Sequence, residues 1–197
     1  NAQSRLVEEA FIRTDIPYKI VGGVKFYQRR EIKDLIAYLR VLENEHDFIS
    51  LKRIVNTPPR GIGKVLMAKI LAGNTASMSA KERETYGKFS STLEKLREEK
   101  TKTTPSSFLK FLIKAVNYKL YLVDDSRNAE ERWANVEEFV SLSTRYDSLP
   151  NESAYTKLLE DVALVQETDE VDRGMHTVHL MTLHAAKGLE FRVVFII

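Results

Sequence analysis

Residues 182–191 read TLHAAKGLEF, and they join two segments that have the composition of β-strands. The strand that precedes them delivers Thr182 and His184 to the carboxyl end of a sheet, where α/β proteins place ligand contacts. Within the turn, Lys187 supplies a cation and Glu190 supplies a hydrogen-bond acceptor. From these residues alone two interpretations stay open: a ligand-binding turn, or an ordinary strand–loop–strand connection.

Strand character occurs at both flanks of the sequence, and helical character lies between them. Residues 17–21 alternate like a strand, residues 177–182 form a second strand, and residues 193–197 are apolar enough for a buried parallel strand. About 140 residues between these flanks follow the helical period. Residues 166–174 are acidic and are predicted to form a linker. The pattern indicates an α/β domain that is interrupted by a helical insertion.

The clearest helix is predicted over residues 29–43, where apolar residues at positions 32, 35, 36, 39 and 42 share one face. Several helix starts are also visible. Asp47 is a predicted N-cap, Ser79 and Glu82 have the spacing of a capping box, and Thr104-Pro105 is typical of an N-cap followed by an N1 proline.

Composition excludes several classes of protein. The chain has 197 residues, of which 43% are hydrophobic, and it contains no cysteine. The absence of cysteine excludes disulfide frameworks, thiol nucleophiles and cysteine-ligated zinc. No apolar run has the length of about 20 residues that a membrane span needs. Because the sequence starts at Asn1 and stops inside an apolar strand, we expect it to be a piece of a longer protein.

The charge is unevenly distributed, although the net charge is only +2. Residues 24–70 contain ten Lys and Arg against five Asp and Glu, a balance of +5. Residues 71–173 contain fifteen against nineteen, a balance of −4. Local positive charge favours phosphate binding, but charges that only solvate helix faces give the same count.

A second candidate site lies at residues 58–64, which read PPRGIGK. A Gly-x-Gly turn that opens a helix exposes backbone N–H groups at a positive helix end, where a phosphate can bind. Arg60 and Lys64 add positive charge on both sides of Gly61, Ile62 and Gly63. Taken alone this signal is weak, because most such turns only join helices.

The turn at 182–191 resembles motif V of the superfamily 1A helicases of the UvrD/Rep/PcrA-like family, whose pattern is T-x-H-x-A-K-G-L-E-F. Every specified position of that pattern matches. Residues 1–5 are similar to the end of the family's motif IV. Residues 16–27, together with residues 31–34, resemble the family's entry into its 2B subdomain.

The resemblance implies a fold class: a mainly α-helical, 2B-like subdomain inserted into a truncated α/β RecA-like sheet of the 2A type. Residues 1–23 would be the N-terminal piece of the RecA-like 2A subdomain. Residues 24–173 would be the helical 2B-like subdomain. Residues 174–197 would be the C-terminal piece of 2A, which carries motif V.

The resemblance also implies roles for the residues of motif V. Thr182, His184 and Asn1 would contact the backbone of single-stranded DNA. Lys187 would belong to the same single-strand site and would help to couple that contact to the nucleotide. Glu190 would accept a hydrogen bond from the ribose of ATP.

The resemblance assigns duplex DNA to the second site. The turn formed by Arg60, Gly61, Ile62, Gly63 and Lys64 would contact the duplex ahead of the fork. The activity implied for the parent protein is that of a 3′-to-5′ DNA helicase that acts in repair or replication.

No phosphate-binding loop of the form G-x-x-x-x-G-K-[ST] occurs in the sequence. The resemblance implies ATP and Mg²⁺ as cofactors of the parent protein. Because this loop is absent here, no catalytic residue, metal site or ATP hydrolysis is expected in this piece. The expected partners are single- and double-stranded DNA, with repair or transcription proteins as further possibilities. A cytoplasmic location without membrane contact is expected.

Three alternatives stay open. The first is a DNA-binding module of the helix–hairpin–helix type that has no motor. The second is a protein-docking module whose helices hold a repair or transcription partner. The third is a nuclease-linked recombination helicase of the same superfamily.

Overall fold

The computed structural model describes residues 7, 10–11, 14, 16–21, 26–125, 128–168, 177–181, 183 and 185–196. The chain divides into two compact units, one of residues 30–160 and one that combines residues 1–29 with residues 161–197. The described chain is predominantly helical and contains a small parallel sheet. This agrees with the sequence prediction of a long helical stretch between two flanks with strand character.

The larger unit is built from helices. Their bounds, in chain order, are α1 Arg30–Glu43, α2 Phe48–Ile54, α3 Lys64–Leu71, α4 Ala80–Lys100, α5 Pro105–Ala115, α6 Tyr118–Asp125, α7 Ala129–Ser143 and α8 Asn151–Thr168, the last of which continues past residue 160. Short 3₁₀ turns occur at Thr75–Ser77 and Thr144–Tyr146. Helix α1 packs against α2, α4 and α7 and is the centre of this unit.

The predicted apolar face of α1 is confirmed, because all five of its residues are buried. Burial extends further around the helix than the periodicity indicated. Ala37, Tyr38 and Val41 are also buried, so neighbouring helices cover α1 on more than one side. A helix with buried residues around most of its circumference is a core helix and not a surface helix.

Two acidic residues of α1, Glu31 and Asp34, are buried, which the sequence did not predict. Asp34 accepts hydrogen bonds from Tyr118 Oη at 2.8 Å and from Arg53 Nε at 2.7 Å. Asn135 Nδ2 donates to Glu31 Oε1 at 2.6 Å. Burial raises the pKa of Asp34, and the hydrogen bond from Tyr118 and the charge of Arg53 oppose that rise. The two carboxylates thus join α1 to α2, α6 and α7 through satisfied polar contacts.

The predicted helix starts are largely confirmed. Asp47 caps α2 by accepting from Ser50 N, and Ser79 with Glu82 forms a reciprocal capping box at α4. Pro105 occupies the first turn of α5 as expected, but the Thr104 side chain makes no capping bond to the backbone. Helix α8 extends through residue 168, so the linker prediction for 166–174 was wrong at its first three residues. Residues 169–174 lie outside the described residues.

The smaller unit contains the sheet. Strand β1, Tyr18–Val21, pairs in parallel with strand β2, Val178–Met181, and Tyr18 lies opposite Val178. Both strands were predicted within one residue of their ends. Parallel neighbours need a long connection between them, and the helical stretch supplies it in the sequence.

The prediction of a third strand at residues 193–197 was wrong for the residues that are described. Residues 193–196 have no strand structure, and Val193, Val194, Phe195 and Ile196 are all exposed. An apolar run becomes a strand only when another strand offers its edge. Among the described residues only β1 and β2 form a sheet, and they pair with each other.

Candidate nucleic-acid interface

The turn between α2 and α3 is folded around the side chain of Asn56. Its Oδ1 accepts hydrogen bonds from the backbone N–H of Arg60 at 3.2 Å and of Ile62 at 3.1 Å. Its Nδ2 donates to the carbonyl of Ile62 at 2.5 Å. Asparagine favours turns because its side chain can bond to nearby backbone in this manner. One amide group therefore fixes the path of residues 56–62.

The guanidinium of Arg60 is directed into the protein. Its Nη1 donates to three carbonyl groups at 2.8 to 3.2 Å, those of Ile54, Val55 and Pro58. Its Nη2 donates to Tyr38 Oη at 2.5 Å, and its Cζ lies 5.1 Å from the centroid of the Phe89 ring. Arg60 thus neutralises the carbonyl end of α2 and joins the turn to α1 and α4.

The Tyr38 hydroxyl completes this arrangement. It donates to the carbonyl of Thr57 at 2.6 Å while it accepts from Arg60. Burial raises the pKa of Tyr38, so the hydroxyl keeps its proton at neutral pH. Tyr38, Asn56, Arg60 and Phe89 together are called the turn brace below.

The other residues of the predicted turn divide into one buried and three exposed positions. Ile62 is 3% exposed and anchors the turn in the core. Gly61, Gly63 and Lys64 are exposed. Gly61 has a φ of +72°, a conformation that favours glycine. Lys64 begins α3, where the N–H groups of the first helical turn give a partial positive charge.

A groove of about 460 Å³ lies beside this turn. Gly61, Gly63 and Lys64 line one side, and Ser79 and Lys81 at the start of α4 line the other. Neither Lys64 nor Lys81 forms an ion pair with any residue that the structure describes. The groove therefore brings two helix starts and two available cations together.

The one carboxylate that lines the groove, Glu82, is neutralised by its own contacts. Lys69 Nζ donates to both of its oxygens, at 2.8 and 3.1 Å, and the backbone N–H of Ser79 donates to Oε2 at 2.7 Å. The hydrogen bond from Lys69, with the one from Ser79, lowers the pKa of Glu82 to about 2. The repulsion of an incoming phosphate by Glu82 is correspondingly reduced.

The second predicted site follows β2. Residues 185–188 form a turn in which Leu189 N donates to Ala186 O at 3.0 Å, and Gly188 has a φ of +84°. Lys187 and Glu190 are exposed, and neither forms an ion pair with a described residue. A short turn with both side chains in solvent can present a cation and an acceptor to a ligand.

The three remaining residues of the predicted single-strand site, Asn1, Thr182 and His184, lie outside the described residues. Among the residues that are described, no three His, Cys, Asp or Glu side chains form a group able to hold a metal ion. In the same part of the chain, no helix combines the length and the apolar character needed to cross a bilayer.

A protein-family comparison gives the affiliation of the chain. The model of the UvrD-like helicase C-terminal domain matches residues 1–197. The chain belongs to this family. The family resemblance that motif V first indicated is thereby confirmed. It extends over the whole length of the chain.

Two curated relatives of this UvrD-like chain carry the same name. ATP-dependent DNA helicase PcrA of Bacillus subtilis (strain 168) is 36% identical over 218 residues, with 100% of this chain and 30% of the relative covered. PcrA of Staphylococcus epidermidis (strain ATCC 12228 / FDA PCI 1200) is 38% identical over 214 residues, with 100% and 29% covered. The chain spans about 30% of the length of these relatives.

Sequence reasoning located the Gly-x-Gly turn of this UvrD-like domain but missed the residues that shape it. Asn56 carried a usable signal, since an asparagine before a Pro-rich turn often bonds to the backbone that follows. Tyr38 and Phe89 carried no signal, because they are separated from Arg60 in the sequence and meet it only in the fold. Contact of any of these residues with nucleotide or DNA stays a prediction.

Proposed function

We propose that this chain is part of an ATP-dependent DNA helicase that moves 3′ to 5′ along single-stranded DNA and unwinds duplex in repair or replication. In this proposal, residues 24–173 are a 2B-like subdomain, and residues 1–23 and 174–197 are pieces of a RecA-like 2A subdomain. The parallel pairing of β1 with β2 supports it, because both flanks of the helical stretch enter one sheet. The relatives that carry the name ATP-dependent DNA helicase support the activity.

The observation that carries the motor assignment is the exposed turn after β2 in a chain of this family. Glu190 is free to accept a hydrogen bond from a ribose hydroxyl, and Lys187 lies three residues before it. We assign Asn1, Thr182 and His184 to the single-stranded DNA backbone on their motif positions alone. Backbone contacts of this kind permit stepping that does not depend on sequence.

ATP with Mg²⁺ supplies the phosphoryl-transfer chemistry when it is bound to the complete helicase. An exposed carboxylate suits a sugar hydroxyl, because an ionised acceptor makes a stronger hydrogen bond than a neutral one. In this proposal, Glu190 orients the sugar, while other parts of the helicase hold the phosphates. Lys187 connects that contact with the DNA side of the same turn.

The duplex assignment depends on the groove at the start of α3. The exposed backbone of Gly61 and Gly63 allows close approach, and Lys64 and Lys81 supply the charge that a DNA backbone requires. Of the five residues in the predicted turn, Arg60 and Ile62 have side chains that are used inside the protein. The groove is thus proposed to contact duplex phosphates through Lys64, Lys81 and the backbone of the two glycines.

The motor assignment is tested by Glu190→Gln in the helicase that contains this chain. We expect the KM for ATP to rise on the order of ten-fold, because a hydrogen bond to a charged acceptor is weakened. The unsubstituted helicase should prefer ATP over the deoxy analogue, 2′ or 3′, that lacks the hydroxyl bound by Glu190. In Glu190→Gln this preference should disappear. Glu98→Gln, at an exposed glutamate of α4, is the matched control and should leave both quantities unchanged.

A second exchange tests the DNA side. His184→Ala should strongly reduce the stimulation of ATP hydrolysis by single-stranded DNA while hydrolysis without DNA stays near its original rate. Unchanged unwinding by both variants would contradict the roles assigned to this turn.

A non-motor DNA-binding module is the second candidate, and the helix–turn–helix arrangement of α2 and α3 around a Gly-Ile-Gly turn favours it. Such a module needs duplex affinity but has no use for a ribose contact at Glu190. Duplex binding that falls steeply with salt, together with nucleotide kinetics that are insensitive to Glu190→Gln, would support this candidate.

A further inference from the structure

The turn brace connects one short surface turn with three helices. Tyr38 comes from α1, the carbonyl groups bound by Arg60 end α2, and Phe89 comes from α4. We propose that Asn56 and Arg60 are positioning residues that preset the turn at Gly61–Gly63 for duplex DNA, without touching the DNA themselves. The inference rests on the duplex contact proposed above and names the residues that hold the turn in shape for that contact.

The contacts of Asn56 carry the first step. Both polar atoms of its side chain are bonded to the backbone of the turn, and they satisfy two N–H groups and one carbonyl. Without this amide the same backbone groups would have to find water, and the turn could sample other paths. Asn56 carries no charge and its polar atoms are already bonded to the turn, so any effect it has on DNA affinity should act through the shape of the turn.

The direction of the Arg60 side chain carries the second step. Four hydrogen bonds and the face of an aromatic ring hold its guanidinium inside the protein. Turning outward to a phosphate would break all of these contacts and leave the carbonyl end of α2 without its cation. Lys64 and Lys81, which are exposed at the groove, are the cations that remain for the phosphate.

The third step concerns the conformational entropy that the turn loses when it binds DNA. A turn that is already fixed loses little conformational freedom when it binds, so more of the contact energy appears as affinity. Single-stranded DNA bound elsewhere on the helicase does not depend on this turn. Substitutions in the turn brace should therefore weaken duplex binding and leave single-strand binding unchanged.

The test measures binding of a blunt duplex and of a single-stranded oligonucleotide to the helicase that contains this chain. The variants are Asn56→Ala, Arg60→Lys and Lys64→Met, with Asn74→Ala as the matched control. Asn74 also accepts a hydrogen bond from a nearby backbone N–H, that of Ser77, but it belongs to a different turn. Arg60→Lys keeps the charge and removes the planar group that makes several bonds at once.

We expect Asn56→Ala and Arg60→Lys each to weaken duplex binding on the order of ten-fold, while single-strand binding and the Asn74→Ala control stay unchanged. The losses of Asn56→Ala and Lys64→Met should not multiply in the double variant, because both act on one contact. Lys64→Met should also reduce the dependence of duplex affinity on salt by about one counterion.

Two results overturn different statements. If Lys64→Met weakens duplex binding but Asn56→Ala and Arg60→Lys do not, the positioning role is wrong and the duplex contact stands. If none of the three variants changes duplex binding, the proposed duplex contact itself is wrong. Should Asn56→Ala fail to fold, Arg60→Lys decides alone: unchanged duplex affinity in that variant overturns the positioning role.

Discussion

The two candidate turns of this chain are built in different ways. The turn at residues 56–63 is held by the side chains of Asn56 and Arg60, which bond to the turn's own backbone, to carbonyl groups at the end of α2 and to Tyr38 of α1, while Arg60 also contacts Phe89 of α4. The turn at residues 185–188 is held, among the described residues, by the backbone bond from Leu189 to Ala186 and by the conformation of Gly188. Both turns place a lysine in solvent, at positions 64 and 187.

The difference indicates two strategies for binding. The first turn has its shape before any ligand arrives, so its affinity should depend on residues that never touch the ligand. The second turn presents side chains that lose their rotamer freedom when they bind, a cost of about 0.5–1.5 kcal/mol for each side chain. Substitutions at the first turn should therefore alter stability together with duplex affinity, whereas those at the second turn should alter ligand binding with little change in stability.

The largest effect should come from Arg60→Ala. We expect the free energy of unfolding to fall by about 3 kcal/mol, because several hydrogen bonds and a cation–π contact are lost in a part-buried site. Lys187→Ala, the comparison at the second turn, should change it by less than about 0.5 kcal/mol. Urea denaturation of both variants measures these values, and equal losses would contradict the contrast between the turns.

Each candidate turn contains a glycine with positive φ, and these two glycines provide a matched pair of intermediate size. At Gly61 and Gly188 a Cβ would meet no atom within 4 Å, so alanine costs backbone strain and nothing else. We expect Gly61→Ala to cost about 1–2 kcal/mol, since the turn brace prevents relaxation. Gly188→Ala should cost less than half of that in thermal or chemical unfolding, because its turn can adjust.

Gly63→Ala is the control for this pair. Its φ is −72°, and a Cβ there also meets open space, so the unfolding free energy should stay nearly constant. If Gly188→Ala proves as costly as Gly61→Ala, the second turn is as rigid as the first.

The smallest effect is the contribution of Glu82, at the groove beside the first turn, to the pH dependence of stability. The hydrogen bond from Lys69 lowers the pKa of Glu82 from its ordinary value of 4.5 to about 2. A carboxylate with a lowered folded-state pKa contributes stability that is fully present above its unfolded pKa and is lost as the pH falls towards the folded value. The stability of the protein should therefore decline between pH 4.5 and about 2 partly through Glu82.

Lys69→Met should remove that part of the decline and return the pKa of Glu82 towards its ordinary value, which carboxyl NMR titration measures. A Glu82 pKa that stays near 2 in Lys69→Met would show that Ser79 alone holds the carboxylate.

Local pattern predicted the parts of this fold that depend on neighbours in the sequence. The apolar face of α1, the caps at Asp47 and Ser79 and both strands of the sheet follow from periodicity and from short-range hydrogen bonds. The burial of Asp34 could not be predicted in this way. Its partners Arg53 and Tyr118 lie 19 and 84 positions away, and a buried carboxylate is tolerable only because the fold brings both of them to it.

The arrangement of the candidate sites also depends on residues that are distant in the sequence, so local pattern predicts it only in part. A Gly-x-Gly turn is visible as a pattern, so its position was predicted, but the direction of Arg60 depends on Tyr38 and Phe89 in other helices. The strand predicted at residues 193–197 was wrong for its described residues, 193–196, and the reason is related. Hydrophobicity can be read from the residues themselves, whereas a strand also needs a partner strand, which can be distant in the sequence. Residue roles carried over from motif V remain predictions, since Thr182 and His184 lie outside the described residues.

The sheet has a consequence for the order in which the chain folds. Val178 pairs with Tyr18 although 160 positions separate them, whereas the helices of residues 30–160 pack mainly on near neighbours in the sequence. Contacts between distant positions form late, because closing a long loop costs entropy before any pairing repays it. On a ribosome, β1 emerges long before its partner exists, so the helical stretch has time to collapse first, and the two strands pair afterwards.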